Sequence, residues 1–411
     1  MRVEHAALSV LVTASLVTAA GPAGAAAAGL EWVSVDSSGA DLPGLHRHAS
    51  ISADGRFVAF EPGFVRDRLT GTTVQVNFDS AGNEVVASRP QLSADGQYVA
   101  FATSANGSAA SDNLIYVRNL RTGTSTLANV RAEGTPANHL LGSIRFSMSG
   151  NGRYVAFSSE ETGVVAGDTN KSTDVFVRDL QTGTTTRASV RPDGSPTSAN
   201  SFVGYYGQAL SDDGRFVVFS SLDTQLVSGD TNATGDVFVR DLQTGTTSRV
   251  SLGNGGVQGD GASGTQVTGA LSGDGRTVMF GSRANNLVEG DEDPGTDLSY
   301  PDLFVRDLEA GTTTRVAAST EDYSIHSGAL SADGRYAVYG TLGTGQDDVY
   351  LYDLRTGTAT TVNVPAAGGD PVGYSYYPAV SANGDVAFQS EAAGLADGDT
   401  GRSSDIFVAP H

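Results

Sequence analysis

Short apolar runs, three or four residues long, recur along this chain between small polar clusters, and the clusters repeat. SADGRFVAF begins at Ser52. The same line reads SADGQYVAF from Ser93, SGNGRYVAF from Ser149, SDDGRFVVF from Ser211, SGDGRTVMF from Ser272, SADGRYAVY from Ser331 and SANGDVAF from Ser381. The Asp or Asn before the turn glycine stands at 54, 95, 151, 213, 274, 333 and 383, which makes seven units. Asp-Gly and Asn-Gly favour tight hairpins, because such turns need residues that tolerate positive φ. The unbroken apolar run that follows predicts a strand buried on both faces.

A second run, such as Val175-Phe176-Val177, leads into RDLQTG and then TTTR. In six units a glycine stands four residues after the Asp or Asn of this motif, at 71, 123, 183, 245, 311 and 357. That constancy predicts a second hairpin. Each unit is therefore expected to hold four short antiparallel strands, and no amphipathic helix is legible. Seven such units predict an all-β, seven-bladed β-propeller. The last unit ends after its third strand, while LEWVSVDSSG, residues 30–39, matches fourth strands such as TSRVSLGNGG. The N-terminal strand is thus expected to close the last blade.

SADGRFVAF with DVFVRDLQTGTTTR resembles the repeat of TolB-type propellers, the secreted and periplasmic relatives of WD-repeat proteins. The resemblance spans roughly residues 30–411. It implies the propeller fold, and only loosely a function, since such repeats serve binding proteins, peptidase-associated propellers and a few lyases. The separate N-terminal domain of the namesake has no counterpart in this sequence, so a translocation role is not carried over.

Charge narrows the partners. The chain of 411 residues carries 46 acidic and 25 basic residues, a net charge of -21, which argues against nucleic acid and anionic membranes. Its 52 glycines suit a fold with many turns. It has no cysteine, which excludes disulfides and thiolate chemistry. Residues 1–28, with Arg2, an apolar run and a small-residue end, read as a secretory signal, leaving residues 29–411 as one propeller. A secreted monomer without a membrane span is expected.

Repetition sorts the candidates for function. A residue present in every unit serves the fold, whereas a site is built once. The segments that open each first strand vary most, and in a propeller they face the central funnel. They offer His48, Arg89, Arg145, Tyr206, Gln208, Gln266, His326 and Tyr377. Basic and aromatic groups at one mouth suit a polar ligand, a glycan or a peptide. The expected function is a non-enzymatic binding or structural scaffold with an unidentified protein, peptide or glycan partner and no organic cofactor. The alternative is a propeller enzyme, a polysaccharide lyase or hydrolase, at the same funnel. No G-x-S-x-G occurs. The i, i+2 spacing of His46 and His48 puts both imidazoles on one strand face, where with His326 and Gln208 they would form a metal-dependent lyase site.

The connections between second and third strands carry another pattern: DTNKSTD, DTNATGD, DEDPGTD and DTGRSSD in units three, four, five and seven. Oxygen ligands at alternate positions open a calcium loop. The candidates are Asp168, Asn170, Ser172 and Asp174; Asp230, Asn232 and Asp236; Asp291, Asp293 and Asp297; and Asp399, Ser403 and Asp405. Structural calcium and a simple turn are the two readings, because turns favour the same residues.

Overall fold

The computed structural model describes residues 29–103, 113–137, 145–205, 207–264, 270–291, 300–320, 323–343, 347–365, 368, 373–399 and 404–411. The proposed leader, 1–28, lies outside them. Within them, seven antiparallel sheets of four strands each form a seven-bladed propeller, as the repeat predicts. In the third blade the strands are Phe146–Met148, Tyr154–Ser159, Asp174–Asp179 and Thr184–Arg187. Neighbouring blades touch through their first strands, so these are innermost. No helix among the described residues is long and apolar enough to cross a membrane.

The repeated aromatics form the spine of each blade. Phe157 on the second strand lies opposite Phe176 on the third, their rings 5.7 Å apart. Phe219 with Phe238 and Phe280 with Phe304 repeat this pair at 5.9 and 5.8 Å. Tyr339 and Tyr350 do so at 5.2 Å in the sixth blade. Val155, Ala156 and Phe157 are all fully buried, which is why that strand reads as continuous rather than alternating.

The turn motif also joins the blades. Gly152 has φ +71°, and a Cβ there would run into the Tyr98 ring of the preceding blade. Gly96 meets Phe57 in the same way, and Gly214 meets Tyr154. The aromatic after one turn thus packs on the bare glycine of the next. Backbone amides continue the link: Ala53 donates to the Ala94 carbonyl at 2.9 Å, Ala94 to Gly150 at 2.8 Å, and Ala382 of the seventh blade to Ala53 at 2.9 Å. Asp212 is the bulky exception at this position, and its ring neighbours are both glycines, Gly150 and Gly273. A Cβ on either would collide with the Asp212 carboxylate.

The ring closes as expected. Ser375–Val380, Val386–Ser390 and Asp405–Ala409 form the seventh blade with Glu31–Trp32, in which Glu31 pairs with Val408 and Trp32 with Phe407. The Val33 amide extends the pairing to the Ile406 carbonyl at 2.8 Å, and Val33 is fully buried.

Candidate functional site

Each first strand starts at one face of the ring. Because successive strands reverse, the loops between second and third strands open on that same face. A cavity of about 130 Å³ runs down the axis from it. His48, Arg89, Tyr205 and Tyr377 line its mouth; Met148 and Leu330 are among the apolar residues deeper in. Cavities that enclose a drug-sized ligand are about 300–1,000 Å³, so this one admits a single small group, with the rest of a ligand lying across the mouth.

Three mouth residues sit in the left-handed region: His48 at φ +49°, Arg89 at +51° and Tyr377 at +48°, each six residues before its blade's turn Asp or Asn. Glycine, Gly207 at φ +79°, fills this position in the fourth blade. Such a backbone costs roughly 1–2 kcal/mol for a residue with a Cβ. Arg89 and Tyr377 also precede proline, which favours extended backbone. Lys171 and Ala233 share this conformation, but they lie in the outer loops.

The side chains divide the mouth into two parts. On one side, Arg89 lies over the Tyr205 ring at 4.8 Å; Arg145, which does not itself line the cavity, lies over the same ring at 3.8 Å and over Phe202 at 4.5 Å. Burial holds the Arg145 guanidinium below its ordinary range. On the other, the rings of His48 and Tyr377 stack at 4.5 Å, and Tyr376 and Tyr374 continue the row at 5.9 Å each. Glu61 joins the two parts. It takes His48 Nδ1 at 2.9 Å and the Arg89 amide at 2.8 Å. Burial pushes the Glu61 carboxyl up, but these bonds outweigh it and leave the group below the usual carboxylate range.

His326 stands edge-on to Tyr376 and Tyr377, at 5.8 and 5.9 Å. Burial holds its imidazole down at about 4, only partly offset by the Gly340 backbone. Neither ring nitrogen has a hydrogen bond of good geometry. The unfolded imidazole takes a proton near 6.5 while the folded one does not. Stability is therefore complete above that pH and is lost as pH falls towards 4. The loss should reach on the order of 3 kcal/mol. Urea unfolding at pH 7 and pH 4.5 should show this loss in the wild type and less of it in His326→Asn.

Several expectations change. Tyr206 and Gln266 lie outside the described residues. Gln208 lines the cavity, but its amide is committed to the Leu210 carbonyl at 2.7 Å and to Asp212 at 3.1 Å. The proposed lyase metal set does not assemble. The positive φ at His48 breaks strand alternation, so His46 turns away from the mouth and is fully buried, with ring nitrogens 3.0 Å from the Glu61 and Leu42 carbonyls. Tyr205 and Glu61 were missed by the sequence reading. Both are unrepeated, and Glu61 sits in EPG, the shortest of the connections between second and third strands.

In the outer loops the expected calcium ligands meet an arginine. Arg187 lies 3.2 Å from Asp168 and 3.6 Å from Asp174, and Arg249 lies 3.3 Å from Asp230 and 3.4 Å from Asp236. In the fifth blade Arg315 lies 3.1 Å from Asp291 and 3.3 Å from Asp302. The second carboxylate there is Asp302, which begins the third strand as Asp174 and Asp236 do; Asp293 and Asp297 lie outside the described residues. Burial pushes the Asp168, Asp230 and Asp236 carboxyls up, and the arginines oppose it. Asn170 donates to Asp174 at 2.9 Å and to the Thr197 carbonyl at 2.8 Å, while its oxygen takes the Ser172 amide. Asn232 donates to the Gly259 carbonyl. In the seventh blade Trp32 takes the arginine's register, opposite Phe407. There Asp405 takes the Ser34 hydroxyl at 2.7 Å, Asp399 takes the Leu395 amide, and Asp405 lies close to Asp41 and His46. Ser403 lies outside the described residues.

No protein-family model matches the chain, and no curated protein matches its sequence. Solved structures do. The β-propeller domain of the Trilobed protease from Pyrococcus furiosus, described as having an open velcro topology, is 11% identical with a TM-score of 0.53, over 89% of this chain and 96% of that one. An oligogalacturonate lyase from Vibrio parahaemolyticus is 13% identical with a TM-score of 0.53, over 89% and 90%. A TolB from Acinetobacter baumannii is 16% identical with a TM-score of 0.43, and the chain spans 63% of its length. At these identities the first two show a shared fold.

Proposed function

We propose that this chain is a secreted binding propeller that seats a polar ligand, a glycan rather than a peptide, across the axial mouth. The observation that carries this reading is the strained backbone. Three blades in succession, the seventh, first and second, hold a non-glycine residue in the left-handed region, and all three side chains line one cavity. Such strain persists when surrounding structure enforces it, and it clusters at ligand clamps. The row His48, Tyr377, Tyr376 and Tyr374 favours sugar rings, because Tyr374 is 45% exposed and extends the mouth outward as an aromatic strip. The similar solved structures include a lyase and a protease's propeller domain, so the fold alone leaves function open. Secretion rests on the leader sequence.

The test is a combined array of glycans and peptides probed with the chain from residue 29 onward. Wild type should retain a set of glycans, and Tyr377→Ala should lose that set while melting as a folded protein. Retention of peptides alone would replace the glycan reading. Binding that survives both Tyr377→Ala and Arg89→Ala would move the site off the axis.

A further inference from the structure

The two parts of the mouth differ in charge, and the difference names a chemical group. The Arg145 guanidinium lies over two rings, with Tyr205 at 3.8 Å and Phe202 at 4.5 Å. Among the described residues no carboxylate pairs with it, although eleven other arginines of the chain hold an Asp or Glu. Arg89 lies over the same Tyr205 ring, and the two guanidinium groups repel each other across it. A protein with a net charge of -21 has no shortage of acids to place there. Glu61 is already taken by His48 and by the Arg89 amide.

Stacking uses the faces of a guanidinium, and a hydrogen bond to the Tyr205 side chain engages only part of the Arg145 edge. The edge carries the N–H donors, in a planar fork that matches a carboxylate. Contact with two rings restricts the guanidinium in advance, so less entropy is lost when an anion arrives. We propose that the Arg145, Tyr205 and Arg89 side of the mouth recognises a carboxylate on the bound ligand, with the sugar ring that bears it turned towards Tyr377. This rests on the glycan reading above and narrows it to acidic units.

The experiment titrates D-glucuronate, D-glucose and D-glucose 6-sulfate into the protein and follows binding by calorimetry and by NMR. Glucuronate should bind roughly 10- to 100-fold more tightly than glucose, the worth of one charge-assisted hydrogen-bonded pair. The preference should shrink as salt is raised. Arg145→Gln should remove it, and Arg145→Lys, which keeps the charge without the fork, should restore only part. Equal binding of glucose and glucuronate by the wild type, lost in Tyr377→Ala, would overturn the carboxylate assignment and leave the mouth as the site. Preference for the sulfate would also overturn it, in favour of a tetrahedral anion. Binding of no sugar at any mouth variant or in the wild type would overturn both readings. The comparison of sugars on the wild type needs no substitution, so a folding defect in Arg145→Gln does not shield the proposal.

Discussion

Removal of residues 30–39 is expected to make the protein aggregate and to lower its melting temperature markedly. These residues supply the outer strand of the seventh blade. Without them Phe407 and Val408 lose their partners, and Asp405–Ala409 becomes an open edge with unpaired amides and carbonyls. Such an edge is a template for pairing with another chain. The segment also carries Val33 and Val35, exposed by 0% and 4%; burial of each is worth about 1.5–3 kcal/mol. Ser34, which bonds both Asp405 and the Ile406 amide, goes with them. Light scattering and thermal unfolding measure the outcome. A truncated chain that does not aggregate and melts unchanged would show that closure through this strand does not hold the ring.

Substitution of Arg249 by Met should destabilise the protein by about 3–5 kcal/mol at neutral pH, the cost of leaving buried charges without their partner. The Asp230 and Asp236 side chains are almost fully buried, and Arg249 lies between them. Burial already raises both carboxyls, and the arginine is one of the groups that oppose it. Without it they rise further. A carboxyl raised in the folded state weakens folding above its unfolded value near 3.9 and stops doing so as pH falls. The deficit should therefore be greatest at pH 7 and shrink towards pH 4. Calcium at about 1 mM, within the range of extracellular modules, tests the other reading of these loops. If calcium restores melting in Arg249→Met and leaves the wild type unmoved, the aspartate pair is a cation site that an arginine has taken. Denaturation curves across pH, with and without calcium, decide both points.

The fold was legible because a propeller writes its rules seven times. Asp-Gly turns, VAF runs and RDLQTG hairpins each recur at matching places, and the register of residues 30–39 with a missing fourth strand could be read from likeness alone. The site was less legible for a physical reason. His48, Arg89 and Tyr377 were picked out because they vary, but their left-handed backbone leaves no mark on a hydrophobic pattern. That backbone is what separates His46 from His48, which strand alternation would have put side by side. Nothing in the hydrophobic pattern marks Tyr205, whose ring lies under two arginines, ahead of the other aromatics of its segment. The arginine in the aspartate loops was visible as TTTR and TTSR, yet nothing in one strand shows that it reaches across to a loop some twenty residues earlier.

The central claim is that repeated residues build the ring while strained, unrepeated residues at the axis bind. Thermal unfolding of wild type and Arg89→Gly, each alone and with the tightest acidic glycan from the array, tests it in one measurement. Glycine relieves the left-handed strain at this position, as Gly207 does in the fourth blade. The account predicts that Arg89→Gly melts at or above the wild-type temperature and that the glycan, which raises melting of the wild type, no longer raises that of the variant. A variant that melts lower yet keeps the full ligand-induced rise would show that Arg89 serves the fold, and would contradict the claim.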